Sequence, residues 1–236
     1  MRLGIVAAMA DEARILSGET VDPQREILIR GDALLRLSGM GPEKARSASR
    51  RLIDQGVAAL ASWGIAGGLD PALTAGCLII PRNVIASDGS IYHTDTAWRE
   101  RLSGRLAARI PVNDGSLAEC DSIITERPEK LRIRARTGAA GIDMESAAIA
   151  REAVDAGIPF LAVRAVADTL ETSVPLSALE SVDEFGRVRL SRLMLRLVGR
   201  PGEIAGLLRM GKNYRAALKA LQAAAALEGN VLCSVE

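Results

Sequence analysis

Short apolar runs alternate with helix-like segments along most of this 236-residue chain, and this alternation constrains the fold more than any other feature. The runs LGIVAAM and IPFLAVRAVAD are typical of strands buried on both faces of a sheet. The stretch from Glu26 to Leu37 predicts a hairpin with Gly31 and Asp32 at its turn. The helix-like segments lie at residues 42–55, 96–110 and 144–156. Together these elements predict a three-layer α/β/α fold with a mixed central sheet.

The composition narrows the class of protein. Hydrophobic residues make up 48% of the chain and charged residues 25%, as in soluble proteins with a substantial core. Only 3% are aromatic, so aliphatic and alanine side chains must build that core. The net charge of +1 argues against a globally electropositive protein that binds nucleic acid. Cys77, Cys120 and Cys233 are far apart and form neither a disulfide framework nor a zinc motif, so we expect a reduced, cytoplasmic setting.

The N-terminal run shares some features with a secretory signal peptide, namely an early arginine, a short apolar core and small residues. Asp11 and Glu12 follow at once, which favours a buried first strand instead. The longest uncharged run, at residues 56–69, is too short to span a bilayer.

The charge of the chain changes after about residue 186. Residues 187–219 contain nine basic residues and one acid, which gives this segment a net charge of +8. Leucines recur there at helical spacing, so the segment is amphipathic as well as basic. A solvated helical hairpin packed on the domain fits this pattern, and so does a surface for an anionic membrane or a lipid-like ligand. We therefore divide the chain into a main domain at residues 1–185 and a basic helical extension at residues 186–236.

Three acids stand where predicted strands meet loops. Glu12 follows the first strand, Glu145 follows the short run Gly141-Ile142, and Asp168 ends the strand IPFLAVRAVAD. Ligands of open α/β sheets gather at the carboxyl ends of strands, so three carboxylates there suggest acid–base work or recognition of hydroxyl groups. Each acid could instead cap the helix that follows it.

Two glycine-rich loops also follow strands. The sequence from Gly64 to Gly68 is neither a phosphate-binding P-loop nor a dinucleotide fingerprint, and Gly39-Met40-Gly41 is a second such loop. Glycines at these places indicate that the backbone approaches a ligand or a helix closely. No spacing of metal ligands is present in the sequence, so we expect no metal.

Five stretches, in the order LGIVAAMADE, WGIAGGL, IYHTD, GIDMES and VRAVAD, resemble the purine nucleoside phosphorylase and methylthioadenosine/adenosylhomocysteine nucleosidase superfamily. The resemblance covers about residues 1–170. The Met-Glu-x-x-Ala motif, followed some twenty residues later by Arg-Ala-x-x-Asp, forms a specific signature. The basic C-terminal part resembles the hopanoid-associated phosphorylase branch, which acts on adenosylhopane. The resemblance implies a nucleoside phosphorylase-like catalytic domain at residues 1–185.

The resemblance assigns roles to four residues. In that superfamily the Glu of the Met-Glu pair, here Glu145, binds the ribose 2′ and 3′ hydroxyls, and the preceding Met, here Met144, packs against the sugar. The Asp that ends the later strand, here Asp168, protonates purine N7. The acid after the first strand, here Glu12, positions the attacking water in the nucleosidases.

The chemistry of N-glycosidic cleavage fits these roles. The reaction passes through an oxocarbenium-like state, which an ionised Glu145 can stabilise. The adenine anion is a poor leaving group, so Asp168 must hold a proton near neutral pH. We expect burial and nearby carboxylate charge to raise the pKa of Asp168.

The resemblance also points to substrate contacts from loops. These candidates are Gly64, Ile65, Ala66 and Gly67 of the first glycine-rich loop, Ile123 of the loop at residues 121–123, which aligns with the loop that binds the base in the nucleosidases, and His93. The sequence Tyr92-His93-Thr94-Asp95 matches a YHxD stretch of the nucleosidases, which places His93 near the 5′ side of the nucleoside or at a subunit contact. A structural histidine with a hydrogen-bonded ring fits equally well.

The chain departs from the superfamily in its phosphate and base sites. Bacterial hexameric phosphorylases carry an Arg and a Ser for phosphate where this chain has Ser62 and Ile65. The nucleosidases stack adenine on a Phe in the loop that aligns with residues 121–123, where no aromatic is present. Phosphate charge could come from other loops, for which the candidates are Arg14, Arg46 and Arg82. Retained Glu12 favours water as the nucleophile, whereas the branch resemblance favours phosphate.

Three functions are therefore weighed. The first is an enzyme that releases adenine from a nucleoside with a large apolar 5′ group, by phosphorolysis of adenosylhopane in hopanoid biosynthesis, with peripheral membrane contact through residues 187–219. The second is a hydrolytic methylthioadenosine/adenosylhomocysteine nucleosidase. The third is a non-catalytic nucleoside-binding or membrane-associating protein, for which an acid aimed at N7 would be useless. We expect no cofactor beyond phosphate as a co-substrate, and the resemblance implies a homo-oligomer.

Overall fold

The computed structural model describes residues 2–29, 33–172 and 174–227. The strands, in chain order, are β1 (Leu3–Ala7), β2 (Ile27–Ile29), β3 (Ala33–Leu37), β4 (Ala59–Gly68), β5 (Leu78–Ile79), β6 (Asn83–Ile85), β7 (Ile91–His93), β8 (Val112–Asn113), β9 (Leu117–Glu119), β10 (Gly141–Asp143) and β11 (Phe160–Asp168). The helices are α1 (Ala10–Ser17), α2 (Pro42–Asp54), α3 (Thr96–Leu106), α4 (Arg127–Thr137), α5 (Ser146–Asp155), α6 (Leu176–Leu179), α7 (Leu190–Gly199) and α8 (Ile204–Leu227), with a 3₁₀ turn at Pro201–Glu203.

The long central strand β4 organises the sheet. Its first half pairs in parallel with β1, residues 60–67 pair in parallel with β11, and its last two residues pair antiparallel with β10. One arm continues from β1 to β3 and β2, and a second continues from β10 to β9, β6 and β7. A third arm runs from β11 to β5 and β8. The mixed central sheet predicted from the sequence is thereby confirmed.

Alternate side chains of the strands enter two cores on opposite faces of the sheet. On β1, Ile5 belongs to the core that includes residues of α1, α3 and α8, whereas Val6 belongs to the core that includes residues of α2 and α5. The period of two along a strand produces this separation. Alanines and branched aliphatic residues dominate both cores, as the low aromatic content requires. The three-layer α/β/α arrangement is confirmed.

The carboxyl ends of β1, β3, β4 and β11 lie at the same edge of the sheet, because these strands are parallel to one another. The register between β4 and β11 shifts between Val166 and Asp168, so that Asp168 pairs with Gly67 and Ala167 is the extra residue. Such a bulge redirects the side chain that follows it. The carboxylate predicted to serve as the acid therefore stands at an irregularity of the strand end.

Most predicted elements form near their expected positions. The hairpin is present as antiparallel β2 and β3, while its predicted turn at Gly31 and Asp32 lies outside the described residues, as does Cys233. The helix predicted from residue 144 begins instead at Ser146. Met144 and Glu145 thus occupy the bend between β10 and α5.

In its described residues, 186–227, the basic extension forms the helices α7 and α8, which have different surroundings. On α8, Ala217, Leu221 and Ala224 are buried in the same core as β1 and α1, so the second half of this helix packs on the main domain. On α7, Leu190, Met194 and Leu195 are exposed. The domain boundary at residue 185 stays a prediction. In the described part of the chain, no helix has both the length and the apolar character needed to cross a membrane.

Candidate active site

A cavity of about 450 Å³ opens at the carboxyl edge of the sheet, which is within the range of pockets for small ligands. Its lining combines the ends of β1, β4, β10 and β11 with the segments around α6 and α8. Eight of the predicted site residues line it: Glu12, Ile65, Ala66, Gly67, Ile123, Met144, Glu145 and Asp168. Gly64 and His93 do not. The structure therefore brings together the three acids that are far apart in sequence.

Glu12 both caps a helix and faces the cavity. Its Oε2 accepts hydrogen bonds from the backbone of Ala8 at 3.1 Å and Met9 at 2.8 Å at the start of α1, and its Oε1 accepts one from Ile65 at 2.9 Å. Burial raises the pKa of Glu12, and the nearby Arg164 guanidinium and these backbone donors act in the opposite direction. Helix capping and a role in the site, which the sequence left as alternatives for Glu12, therefore do not exclude each other.

Arg164 is the arginine of the Arg-Ala-x-x-Asp motif, to which sequence reasoning gave no role. It is buried in β11 between Glu12, Asp143 and Glu145, with its Nε 2.7 Å from Asp143 Oδ2 and its Nη2 3.6 Å from Glu145 Oε2. It also donates to Ser62 Oγ at 2.6 Å. A charged residue inside a strand that is buried on both faces needs such partners. The arginine within the apolar run IPFLAVRAVAD therefore indicated that buried acids lie beside it.

Glu145 lies between Arg164 and the second glycine-rich loop, Gly39-Met40-Gly41. Its Oε1 accepts a hydrogen bond from the backbone of Gly41 at 2.9 Å, in the second glycine loop noted in the sequence. Burial raises its pKa to about 7, with Arg164 opposing this effect and the charge of Asp143 adding to it. Met144, beside it, also lines the cavity.

Asp143 stabilises the bend that carries Met144 and Glu145. Its Oδ1 accepts from the backbone of Glu145 at 3.3 Å and Ser146 at 3.1 Å, while its Oδ2 contacts Arg164. These bonds satisfy backbone donors at the start of α5. Asp143 therefore caps the start of α5 and also anchors Arg164.

Asp168 has a different charged neighbour from the one expected. Burial raises its pKa, as predicted, but the charge acting on it comes from Lys130 of α4, whose Nζ donates to Asp168 Oδ2. The ammonium opposes the effect of burial. We expected both burial and nearby carboxylate charge to raise this pKa. The expectation about carboxylate charge was wrong, because the neighbouring charge is the ammonium group of Lys130. Lys130 stands among many basic residues of α4, and no sequence pattern distinguishes it.

Gly64 makes room for the charged cluster and does not contact the cavity. A Cβ atom placed at this residue would lie 2.6 Å from both Glu12 Oε1 and Arg164 Nη1. Only a residue without a side chain fits there while Glu12 and Arg164 keep their positions. The glycine is explained by this close approach, as the sequence suggested for the loop in general.

The loop predicted to face the base contributes small and aliphatic side chains. Ile123, together with Cys120, Ser122 and Ile124, lines the cavity. Burial raises the pKa of the Cys120 thiol to about 11, so this cysteine is a neutral, packed side chain and not a nucleophile. No aromatic replaces the expected stacking residue within this loop.

Two aromatic residues reach the cavity from the C-terminal part of the chain. Phe185, whose ring lies beside Gly39, and Tyr214 of α8 both line it. The Tyr214 hydroxyl lies 3.2 Å from Asp11 Oδ2. The cavity extends further along apolar side chains of this region, namely Val174, Ala178, Leu179, Val182, Val188 and Met210. Sequence reasoning missed this wall because it lies beyond the recognised motifs.

The remaining candidates lie elsewhere. His93 is exposed on β7, at the end of one arm of the sheet. The three arginines considered for phosphate do not line the cavity. Arg14 pairs with Asp11, which is itself part of the lining, Arg46 pairs with Glu43 and Glu152, and Arg82 pairs with Asp114. Among the described residues, the basic side chains that line the cavity are Arg164 and Arg187. Across the same ranges, no group of three or more His, Cys, Asp or Glu is placed to hold a metal ion.

Comparison with known proteins agrees with this architecture. A sequence model of the phosphorylase superfamily matches residues 2–198. The chain belongs to the phosphorylase superfamily. A 5′-methylthioadenosine/S-adenosylhomocysteine nucleosidase of Colwellia psychrerythraea strain 34H is 25% identical over 234 residues, covering 84% of this chain and 96% of its own.

Solved structures of the superfamily share the fold. The corresponding nucleosidase of Neisseria meningitidis matches with a TM-score of 0.69 and 19% identity, over 98% of both chains. Futalosine hydrolase of Helicobacter pylori strain 26695 matches with a TM-score of 0.70 and 16% identity, over 98% of this chain and 97% of its own. As a member of the phosphorylase superfamily, the chain is an enzyme that cleaves N-glycosidic bonds.

Proposed function

We propose that this enzyme hydrolyses the N-glycosidic bond of an adenine nucleoside that carries an apolar 5′ substituent. The observation that carries the proposal is the convergence of Glu12, Glu145, Arg164 and Asp168 in one cavity at the strand ends. Adenine as the base is supported by the nucleosidase relatives, of which the Colwellia psychrerythraea enzyme has been solved in complex with adenine.

The acids divide the reaction between them. Glu145 accepts hydrogen bonds from the ribose 2′ and 3′ hydroxyls, and Met144 packs against the sugar. Asp168 gives its proton to N7 as the bond between C1′ and N9 breaks, so that neutral adenine leaves. Water attacks C1′ and passes a proton to Glu12, which yields a free 1′-hydroxyl on the ribose. Arg164 opposes the effect of burial on Glu12, which favours the ionised carboxylate that accepts this proton.

The charge around the cavity supports water over phosphate. The Arg164 guanidinium already contacts Asp143 and lies near Glu145 and Glu12. A phosphate dianion would enter beside these carboxylates, and the three arginines considered for it do not line the cavity and already pair with carboxylates. Phosphorolysis would need further cations at the sugar, whereas hydrolysis needs only a base for water.

The apolar wall of the cavity supports a large 5′ group, and adenosylhopane is the second candidate substrate on this basis. Val188 and Arg187 line the cavity and also begin the basic segment that carries exposed Leu190 and Leu195. A lipid-like substituent could therefore pass from the cavity to an apolar, cationic face of the protein. We propose that this face touches an anionic membrane surface.

Release of adenine from methylthioadenosine, adenosylhomocysteine and adenosylhopane, each with and without phosphate, tests the proposal. We expect turnover that phosphate does not accelerate, with a free ribose derivative as the second product. Asp168→Asn and Glu12→Gln are expected to reduce the rate by about 10²–10⁴-fold, the usual contribution of a general acid or base. Strict dependence on phosphate, or full activity of either variant, would overturn the mechanism. Faster turnover of adenosylhopane than of the two other nucleosides would identify adenosylhopane as the substrate.

A further inference from the structure

A lysine is buried behind the cavity, at a place where the proposed mechanism makes no use of it. Lys130 has an exposed fraction of 0% although it lies on α4, whose other basic residues are mostly at the surface. Lysine is almost never fully buried unless its ammonium group is paired. The position of this charge therefore calls for an explanation in terms of its partners.

The ammonium group has three acceptors and three protons to donate. Its Nζ donates to the carbonyl oxygens of Thr169 at 2.8 Å and Thr172 at 3.0 Å, and to Asp168 Oδ2. The two carbonyls belong to the turn that follows β11, so they fix the ammonium relative to the end of that strand. The third proton is thereby directed at the carboxyl group that faces the cavity.

The pairing determines which oxygen of Asp168 can act as the acid. An oxygen that accepts a bond from an ammonium group carries the greater negative charge, so the proton of the neutral acid resides on the other oxygen. We infer that Lys130 is a positioning residue, which holds Oδ2 of Asp168 so that Oδ1 presents the proton to the leaving base. This inference rests on the proposed function, because it assumes that Asp168 is the acid.

The same contact serves the step after proton transfer. Once the proton has gone to the base, Asp168 is an anion in a site that is largely shielded from water, and Lys130 stabilises that anion where it forms. Burial alone raises the pKa of Asp168, and Lys130 limits the rise. The other charged groups that line the cavity are Asp11, Glu12, Asp143, Glu145, Arg164 and Arg187, and the main charge that acts on the Asp168 pKa is that of Lys130.

The test is the pH dependence of kcat/KM for adenine release by Lys130→Met. Activity of a protonated acid falls as pH rises through its pKa, and loss of the ammonium raises that pKa further. We therefore expect the descending limb of the pH profile of kcat/KM to move to higher pH by about one unit or more in Lys130→Met. We also expect kcat to fall about tenfold or more, with KM nearly unchanged. Lys130→Arg, which keeps a cation, is expected to keep the limb near its original pH.

Ile133→Ala on the same helix is the matched control. Ile133 is buried near Lys130 but carries no charge, so its loss lowers Tm without moving the limb. If Lys130→Met does not fold, Lys130→Gln keeps donors for the two carbonyls and must show the same upward movement. An unmoved limb in the uncharged variant, with Asp168→Asn inactive, would overturn this inference alone. Full activity of Asp168→Asn would instead overturn the proposed function.

Discussion

The side chains around Arg164 combine opposing demands on stability and function. Three carboxylates surround one guanidinium in a buried place, and Glu145 contributes one of them without full compensation. Each buried charge that awaits a ligand costs folding free energy, because only part of its lost hydration is replaced. In the proposed function, the ribose hydroxyls supply the missing partners of Glu145. We therefore expect the free enzyme, without a ligand, to be less stable than it would be if Glu145 were uncharged.

Glu145→Gln tests this conflict at a single residue. A carboxyl group with a folded-state pKa of about 7, above the ordinary 4.5, stabilises the fold while protonated and loses that contribution as pH rises from about 4.5 through 7. The variant removes the charge, so at about pH 8 we expect its free energy of unfolding to exceed that of the wild type by about 1–3 kcal/mol, with little difference near pH 4. Adenine release should fall by about 10²-fold or more. Urea unfolding at both pH values measures the first effect.

Glu152→Gln supplies the comparison for that experiment. Glu152 is equally buried on α5, but it pairs with Arg50 at 2.8 Å and Arg46 at 3.6 Å and does not line the cavity. Its substitution removes a compensated charge and is expected to lower stability at pH 8. A Glu145→Gln protein that is less stable than the wild type at pH 8 would contradict the argument.

At the scale of elements, the end of β4 is shaped by the charges packed on it. The strand passes under Glu12 and Arg164 at Gly64, lies between β11 and β10 at Gly67, and pairs with β10 at Gly68. These glycines allow two further backbones and two charged side chains to approach the same strand. The position of the acids thus depends on a strand end that tolerates no Cβ at Gly64.

Gly64→Ala is expected to disturb the site through this strand. The added methyl group would lie 2.6 Å from Arg164 Nη1 and Glu12 Oε1, so one of these buried groups must move. We expect the rate of adenine release to fall by about tenfold or more and the free energy of unfolding to fall by about 1–3 kcal/mol. Gly104→Ala on α3, where a Cβ meets nothing within 4 Å, should raise stability by up to about 1 kcal/mol and leave the rate unchanged. Equal behaviour of the two variants would contradict the role of Gly64.

The elements of the main domain were predictable because their periodicity is strong. The apolar runs of β1 and β11 and the helical spacing of α2 are produced directly by burial on the two faces of the sheet. Glu12 and Asp168 could be placed together because β1 and β11 are parallel to β4 and their carboxyl ends meet at one edge. Glu145 follows β10, which is antiparallel to β4, so this rule did not determine its place. Lys130, by contrast, could not be found, since a lysine in a basic helix carries no sign of which way it faces. Phe185 and Tyr214 depend on how the chain returns to the sheet after Asp168, which local pattern does not determine.

At the scale of the whole molecule, the basic extension separates into a packed part and an open part. The second half of α8 belongs to the core beside α1, so it is not available to a membrane as the sequence had suggested for all of residues 187–219. The open part comprises Val188, Leu190, Met194, Leu195, Ile204 and Leu208, interspersed with arginines of α7. This combination of exposed aliphatic and cationic side chains, beside the apolar wall of the cavity, is the surface to be tested.

The membrane prediction concerns the exposed residues of α7. Leu190 is 67% exposed and Leu195 75% exposed, with Arg189 and Arg192 close in sequence. We expect the protein to sediment with phosphatidylglycerol vesicles more than with phosphatidylcholine vesicles, and to be released by salt, because apolar insertion and attraction to anionic lipid act together. The double variant Leu190→Asp, Leu195→Asp should lose this binding while adenine release from methylthioadenosine continues.

A control at a distant surface separates this prediction from general stickiness. Leu28 on β2 is 63% exposed and lies at the end of another arm of the sheet, so Leu28→Asp should leave vesicle binding unchanged. Equal binding to both kinds of vesicle, or equal loss in Leu28→Asp and the α7 double variant, would contradict a specific membrane face. If the face does dock, the double variant should also reduce turnover of a nucleoside presented in vesicles more than turnover of one in solution, because only the former reaches the cavity from the bilayer.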